Sequence, residues 1–157
     1  MSADSLLLSI VGLPVSQVWR GHGSALFLDF GPLTPIPTAK QRPPSFHGVA
    51  TLMIEWSWRI ERPRSILCGS WSNEKHWNKA FVQLLTTKVE NVQCFGRLPE
   101  VSVALSNGMH VVSLMTAEGQ PSWALILRGS EQKSVHVAGG RLVVQDLAPN
   151  PKTQSAA

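Results

Sequence analysis

The stretch Thr51-Leu52-Met53-Ile54-Glu55-Trp56-Ser57-Trp58-Arg59-Ile60-Glu61 decides the fold class. Its even positions hold Leu52, Ile54, Trp56, Trp58 and Ile60; its odd positions hold Thr51, Met53, Glu55, Ser57, Arg59 and Glu61. Successive side chains of an extended chain point to opposite faces, so this period of two predicts one long strand with an apolar and a mostly polar face. Arg62-Pro63-Arg64 reads as a turn, and residues 65–70 as the returning strand.

Working outward, strands follow on both sides. Residues 15–20 and 24–30 make a hairpin about Gly21-His22-Gly23. Downstream, residues 89–95, 101–106 and 110–115 alternate in the same way, and Asn107-Gly108 is a strong hairpin signal because both turn positions tolerate positive φ. Residues 123–128, 135–139 and 141–147 complete the set, with a turn at Gly139-Gly140.

Two helices interrupt the strands. In the first, Asp4 or Ser5 is the expected cap, Leu6, Leu7, Ile10 and Val11 share one face, and Gly12 ends the helix in a left-handed conformation. In the second, Ser72 is the expected cap, and Trp77, Ala80, Phe81, Leu84 and Leu85 form an apolar stripe directed at the core.

The units echo each other. Val15-Ser16-Gln17-Val18 followed by residues 25–31 matches Val89-Glu90-Asn91-Val92 followed by residues 101–108. Trp56-Ser57-Trp58-Arg59-Ile60 matches Pro121-Ser122-Trp123-Ala124-Leu125 more loosely. The expectation is an α+β fold of about eight to ten antiparallel strands in meanders with two helices, arranged as two pseudo-symmetric helix-plus-meander repeats. Residues 1–147 should form a single domain. Pro32, Pro35, Pro37, Pro43 and Pro44 make 32–47 a Pro-rich loop, and 148–157 reads as a disordered tail.

Composition narrows the function classes. The chain has 157 residues, 43% hydrophobic and only 15% charged, which suits a packed core and argues against disorder throughout. Cys68 and Cys94 form no metal or disulfide framework. No apolar stretch nears the ~18 residues of a membrane span, and the N-terminus lacks a basic leader, so the expected location is cytoplasmic.

No catalytic motif is present. The five histidines, His22, His47, His76, His110 and His136, lack metal-ligand spacing, Gly21-His22-Gly23-Ser24 lacks the ending of a phosphate loop, and no GxSxG occurs. No cofactor is implied. Asp29 and Glu55, on neighbouring predicted strands, are the one carboxylate pair to nominate for acid–base work. The net charge of +4 is spread out; Trp56, Trp58 and Trp71 with Arg20, Arg59, Arg62 and Arg64 are the residues a nucleic-acid surface would use. Tryptophan is abundant, at 6 with no Tyr, and Trp and Arg dominate protein-interface hot spots. The candidate partner-binding residues are therefore Trp19, Arg20, His22, Arg64 and Trp71.

The run from Gly12-Leu13-Pro14-Val15 to Leu28-Asp29-Phe30-Gly31, with Trp56-Ser57-Trp58-Arg59 and Gly69-Ser70-Trp71-Ser72, is similar to a family of small uncharacterised bacterial proteins. The helix-plus-meander plan also resembles β-rich immunity proteins that neutralise bacterial toxins. The first resemblance carries no activity; the second implies binding rather than catalysis, a protein-interaction domain that holds or blocks a protein partner. The alternatives are an enzyme whose site assembles from separate strands, and a weak nucleic-acid binder.

Overall fold

The computed structural model describes residues 1–37, 43–119 and 122–148. The first half runs α1 (Ala3–Leu8), β1 (Val15–Arg20), β2 (Leu26–Phe30), β3 (Thr34–Ile36), β4 (Ser45–His47), β5 (Ala50–Ile54), β6 (Trp58–Glu61) and β7 (Ile66–Gly69). The second runs from a 3-10 turn (Glu74–His76) through α2 (Trp77–Leu84), β8 (Val89–Phe95), β9 (Glu100–Leu105) and β10 (His110–Ser113) to β11 (Trp123–Arg128), β12 (Gln132–Ala138) and β13 (Arg141–Asp146). One antiparallel sheet has the order β1-β2-β5-β11-β12-β13, a second has β7-β6-β10-β9-β8, and β3-β4 form a separate ribbon. The class is α+β, as expected, with thirteen strands among the described residues instead of eight to ten.

The three extra strands have identifiable sources. The alternation over residues 51–61 is two strands: Ile54 of β5 pairs with Leu26 and Trp123 in the first sheet, whereas Trp58 of β6 pairs with Ser113 in the second. Both inner faces meet the same core, so Leu52, Ile54, Trp58 and Ile60 are all buried and the period of two continues across the corner. The Pro-rich stretch supplies the other two strands. Pro35 sits opposite Phe46 in the short β3-β4 ribbon, where the missing N–H of proline is tolerated because each strand has one free edge. Residues 38–42 of the expected Pro-rich loop and 149–157 of the expected tail lie outside the described residues.

Capping also differs from expectation. Ser2 caps α1 by accepting the Ser5 N–H at 3.2 Å, ahead of Asp4 and Ser5. Val11 lies outside the core, while Leu6, Leu7 and Ile10 are buried. At the second helix Asn73 caps the 3-10 turn, and the Ser72 hydroxyl is used elsewhere.

The echo between the halves recurs in strand order and in local backbone geometry. Gly12 and Thr86 both have positive φ, 89° and 67°, and precede β1 and β8 by the same interval. Each of those strands then carries a bulge at the same place, between Val15 and Gln17 and between Val89 and Asn91. The two strand starts meet at a bridge between Pro14 and Lys88, closed by Gly12 N–H to Val89 O at 2.8 Å and Val89 N–H to Leu13 O at 3.0 Å. After β5 the first half crosses to the other sheet to add β6 and β7. After β10 the second half crosses back to add β11, β12 and β13. Trp58 and Trp123 open these crossed segments. Their indole N–H groups donate to Ser24 O at 2.6 Å and Pro99 O at 3.0 Å, in each case two residues before an inward residue, Leu26 or Val101. A buried indole needs such a partner, and both halves solve the problem alike.

The halves differ in two places. The β3-β4 ribbon stands where the second half has the tight Asn107-Gly108 turn. Nothing after β7 corresponds to β13, because the chain leaves β7 through Ser70, Trp71 and Ser72 toward α2.

Candidate functional site

The second difference creates the most exposed large aromatic of the described residues. At the end of β7, Ser70 N–H donates to Trp58 O at 2.9 Å and holds the chain against β6. A tight turn follows: Ser72 N–H donates to Gly69 O at 3.0 Å, and Ser72 Oγ accepts the Gly69 N–H at 3.0 Å. The Trp77 indole also donates to Gly69 O, at 3.0 Å. A Cβ at Gly69 would lie 2.9 Å from Trp58 O, so this close approach requires glycine. The backbone around Trp71 is thus pinned on both sides while its indole projects outward, 86% exposed.

Two clefts flank that indole. One, of about 430 Å³, is bounded by Ser57, Arg59, Ile66, Leu114 and Thr116. The other, of about 610 Å³, is bounded by Gly23, Ser24, Trp56, Glu74, Trp77 and Ala117. Ser70, Trp71, Ser72 and Thr116 border both, so Trp71 forms the ridge between them. The hydroxyls of Ser24 and Ser70 donate to backbone carbonyls of Trp56 and Trp58, at 3.0 and 3.3 Å, and these bonds stiffen the cleft walls. Trp56 backs the larger cleft and packs on Gly119, where a Cβ would come within 2.7 Å of its ring.

Of the five residues singled out from the sequence, three gather here. Arg20 Nη1 bonds Glu74 Oε2 at 2.5 Å, and its guanidinium lies 5.4 Å from the Trp77 ring centroid. The pair is exposed and contributes at most about 1 kcal/mol to stability. His22 is exposed in the turn that leads into Gly23 and Ser24 on the cleft wall. Trp19 lies elsewhere, half-buried on the outer face of the first sheet and stacked on Phe27 at 4.9 Å and 12°. Arg64 is exposed in the β6-β7 turn, at the opposite end of that hairpin from Trp71. Sequence reasoning groups Trp56 with Trp71 for a nucleic-acid surface but misses Thr116 and Ala117 as wall residues, because only the sheet-crossing segment brings them beside Trp71.

The nominated acid–base pair does not form. Asp29 is 0% exposed and accepts from Gly48 N–H at 3.0 Å, Thr51 Oγ1 at 2.5 Å and Gln17 Nε2 at 3.1 Å. Arg128 Nη1 donates to the same Thr51 Oγ1 at 2.7 Å and to Gly48 O at 3.2 Å. Asp29 therefore secures the base of the β3-β4 ribbon. Glu55 follows the end of β5, four positions beyond the Thr51 that faces Asp29, or about 13 Å along the strand. His47, half-buried at the end of the ribbon, has its pKa lowered by desolvation and by Arg128, against an opposing pull from Asp29.

Other reactive groups are subdued. Burial, with a smaller contribution from Asp4, pushes the Cys94 thiol up to about 11, and burial raises Cys68 as well. Among the described residues no group of three or more His, Cys, Asp or Glu could hold a metal ion. Of the residues a nucleic-acid surface would use, Trp58 is buried against Trp77 and Phe81 and Arg59 Nε bonds Glu61 at 2.7 Å, while Trp56, Arg59 and Trp71 border the clefts. No described helix is long and apolar enough to cross a membrane. Compared with known proteins, the chain matches no family model, no curated protein and no solved structure, and its site is read from its own geometry.

Proposed function

We propose that this chain is a cytoplasmic protein-interaction domain that holds or blocks a protein partner through the ridge and clefts around Trp71. One observation carries the reading: a tryptophan 86% exposed on a backbone pinned by four hydrogen bonds. A large apolar side chain left in water contributes little to folding, whereas a rigid indole beside preformed clefts loses little conformational entropy on docking. Tryptophan is among the residues most enriched where alanine substitution costs binding energy. Arg20 and His22 add polar groups at the margin of the larger cleft. The raised thiol pKa values and the dispersed carboxylates favour binding over catalysis.

The test is affinity capture from the source cell's lysate with wild-type and Trp71→Ala bait, with and without nuclease. The reading expects one protein, retained in stoichiometric amount after nuclease and lost with the folded variant. Equal capture by Trp71→Ala would refute the site. Capture abolished by nuclease would refute a protein partner.

A further inference from the structure

The two large sheets end in four edge strands, β1, β13, β7 and β8, and three of them are irregular. Register shifts between Val15 and Gln17 in β1, between Val89 and Asn91 in β8, and opposite Ile60 and Glu61 where β7 pairs with β6. Such bulges twist an edge away from further pairing. α2 also packs against β1 and β7, and α1 against β8. β13 differs. Arg141–Asp146 pair with β12 at six successive positions without a shift, and the strand holds no proline and no lysine. α1 touches β13 as well, yet Val144, opposite the fully buried Val135, is 37% exposed. Among the described residues no strand pairs with its outer side.

Backbone direction and side-chain order restrict the occupant. Leu147 N–H donates to Gln132 O at 2.8 Å, so alternation turns the N–H and C=O of Arg141, Val143 and Gln145 toward β12 and those of Leu142, Val144 and Asp146 outward. The strand presents an edge about 20 Å long. Arg141 at its start and Asp146 at its end are its only charged residues. A second β13 laid parallel would set like charges side by side, whereas an antiparallel one brings opposite charges to each end. Centred on Val143, the antiparallel pair sets Val143 against its own copy, Leu142 against Val144 and Arg141 against Gln145. Apolar side chains then meet on both faces, and the outward groups of Leu142 and Val144 bond each other. Centring on Val144 would instead set Leu142 against Asp146. The edge is therefore complementary to itself in one register, as an isologous twofold contact requires.

We infer that β13 pairs with β13 of a second copy of this chain, antiparallel about Val143, to join two six-stranded sheets into one. None of its residues borders the Trp71 clefts, so the pairing leaves them free. A single strand pair falls below the ~1,200 Å² of a standard interface, and the dimer is accordingly reversible. The experiment is sedimentation velocity on the full chain from about 10 µM to about 1 mM, a range that spans weak association. Wild type should pass from monomer to dimer within it. Val143→Lys and Val143→Glu, which set like charges across the axis, should each weaken self-association at least tenfold, and an equimolar mixture of the two should restore it. Val144→Pro, which removes an outward N–H, should act like Val143→Lys and serves if the charged variants do not fold. Trp71→Ala should dimerise like wild type. A wild-type monomer throughout, a dimer indifferent to the folded β13 variants, a mixture that stays monomeric, or a dimer lost with Trp71→Ala overturns the pairing.

Discussion

Replacing Trp71 by alanine should separate binding from folding, and the structure sets the size of both effects. A tryptophan can bury up to about 250 Å², and an exposure of 86% leaves roughly 35 Å² covered; at about 25 cal/mol per Å² the loss of stability is about 0.9 kcal/mol at most. No hydrogen bond from the Trp71 side chain is lost, since the bonds that shape the turn come from Gly69, Ser70, Ser72 and Trp77. If the indole is the docking anchor, affinity should fall by about 2–4 kcal/mol, roughly 30- to 1000-fold. Trp77→Ala is the control for a buried indole. It removes a buried ring that packs on Trp58 at 5.5 Å and should cost about 3–5 kcal/mol of stability. Guanidinium unfolding read by circular dichroism measures the first quantity, and calorimetric titration with the captured partner measures the second. The reasoning fails if Trp71→Ala loses more than about 2 kcal/mol of stability, because the indole would then be structural. It fails equally if partner affinity does not change.

Other consequences can be measured on the chain alone. Trp58→Phe and Trp123→Phe each strand a carbonyl that now accepts an indole N–H, and each should cost about 2–3 kcal/mol by denaturant unfolding; a large inequality would contradict equivalent roles. Asp29→Ala should cost about 3–5 kcal/mol and make the β3-β4 ribbon sensitive to protease, while Asp29→Asn, which retains acceptor oxygens, should cost less. Thr86→Gly should stabilise the chain by about 0.5–1 kcal/mol, since a β-branched residue at φ 67° is strained where its counterpart is Gly12; a drop in melting temperature would refute this. His47 has a folded pKa held below 6.5, so the unfolded chain binds its proton more readily. The associated stability is present above 6.5 and is lost as pH falls through 6.5 toward the folded value. Stability measured across that window should decline in the wild type and decline less in His47→Gln.

Much of the fold could be read from local pattern. The period of two marked Leu26, Leu28, Leu52, Ile54, Trp58 and Ile60 as inward-facing, and all are buried. The spacing of Leu6, Leu7 and Ile10, and of Trp77, Ala80, Phe81 and Leu84, identified the two helices, because amphipathic spacing is a property of a few consecutive residues. The relation between the halves was visible in the matching runs at Val15 and Val89.

Tertiary structure alone decided where the strands go. Alternation says that a residue faces the core but not from which sheet, so the switch at residues 55–57 left no mark on the pattern of 51–61. The site followed from that switch. Trp71 looked like Trp19 in sequence, yet Trp19 stacks on Phe27, whereas Trp71 stands free where a turn replaces a further edge strand. Asp29 and Glu55 belonged to neighbouring strands, but register placed one under the ribbon and the other beyond the strand end. Register and sheet-crossing depend on contacts between residues far apart in the chain, and local side-chain chemistry does not encode them.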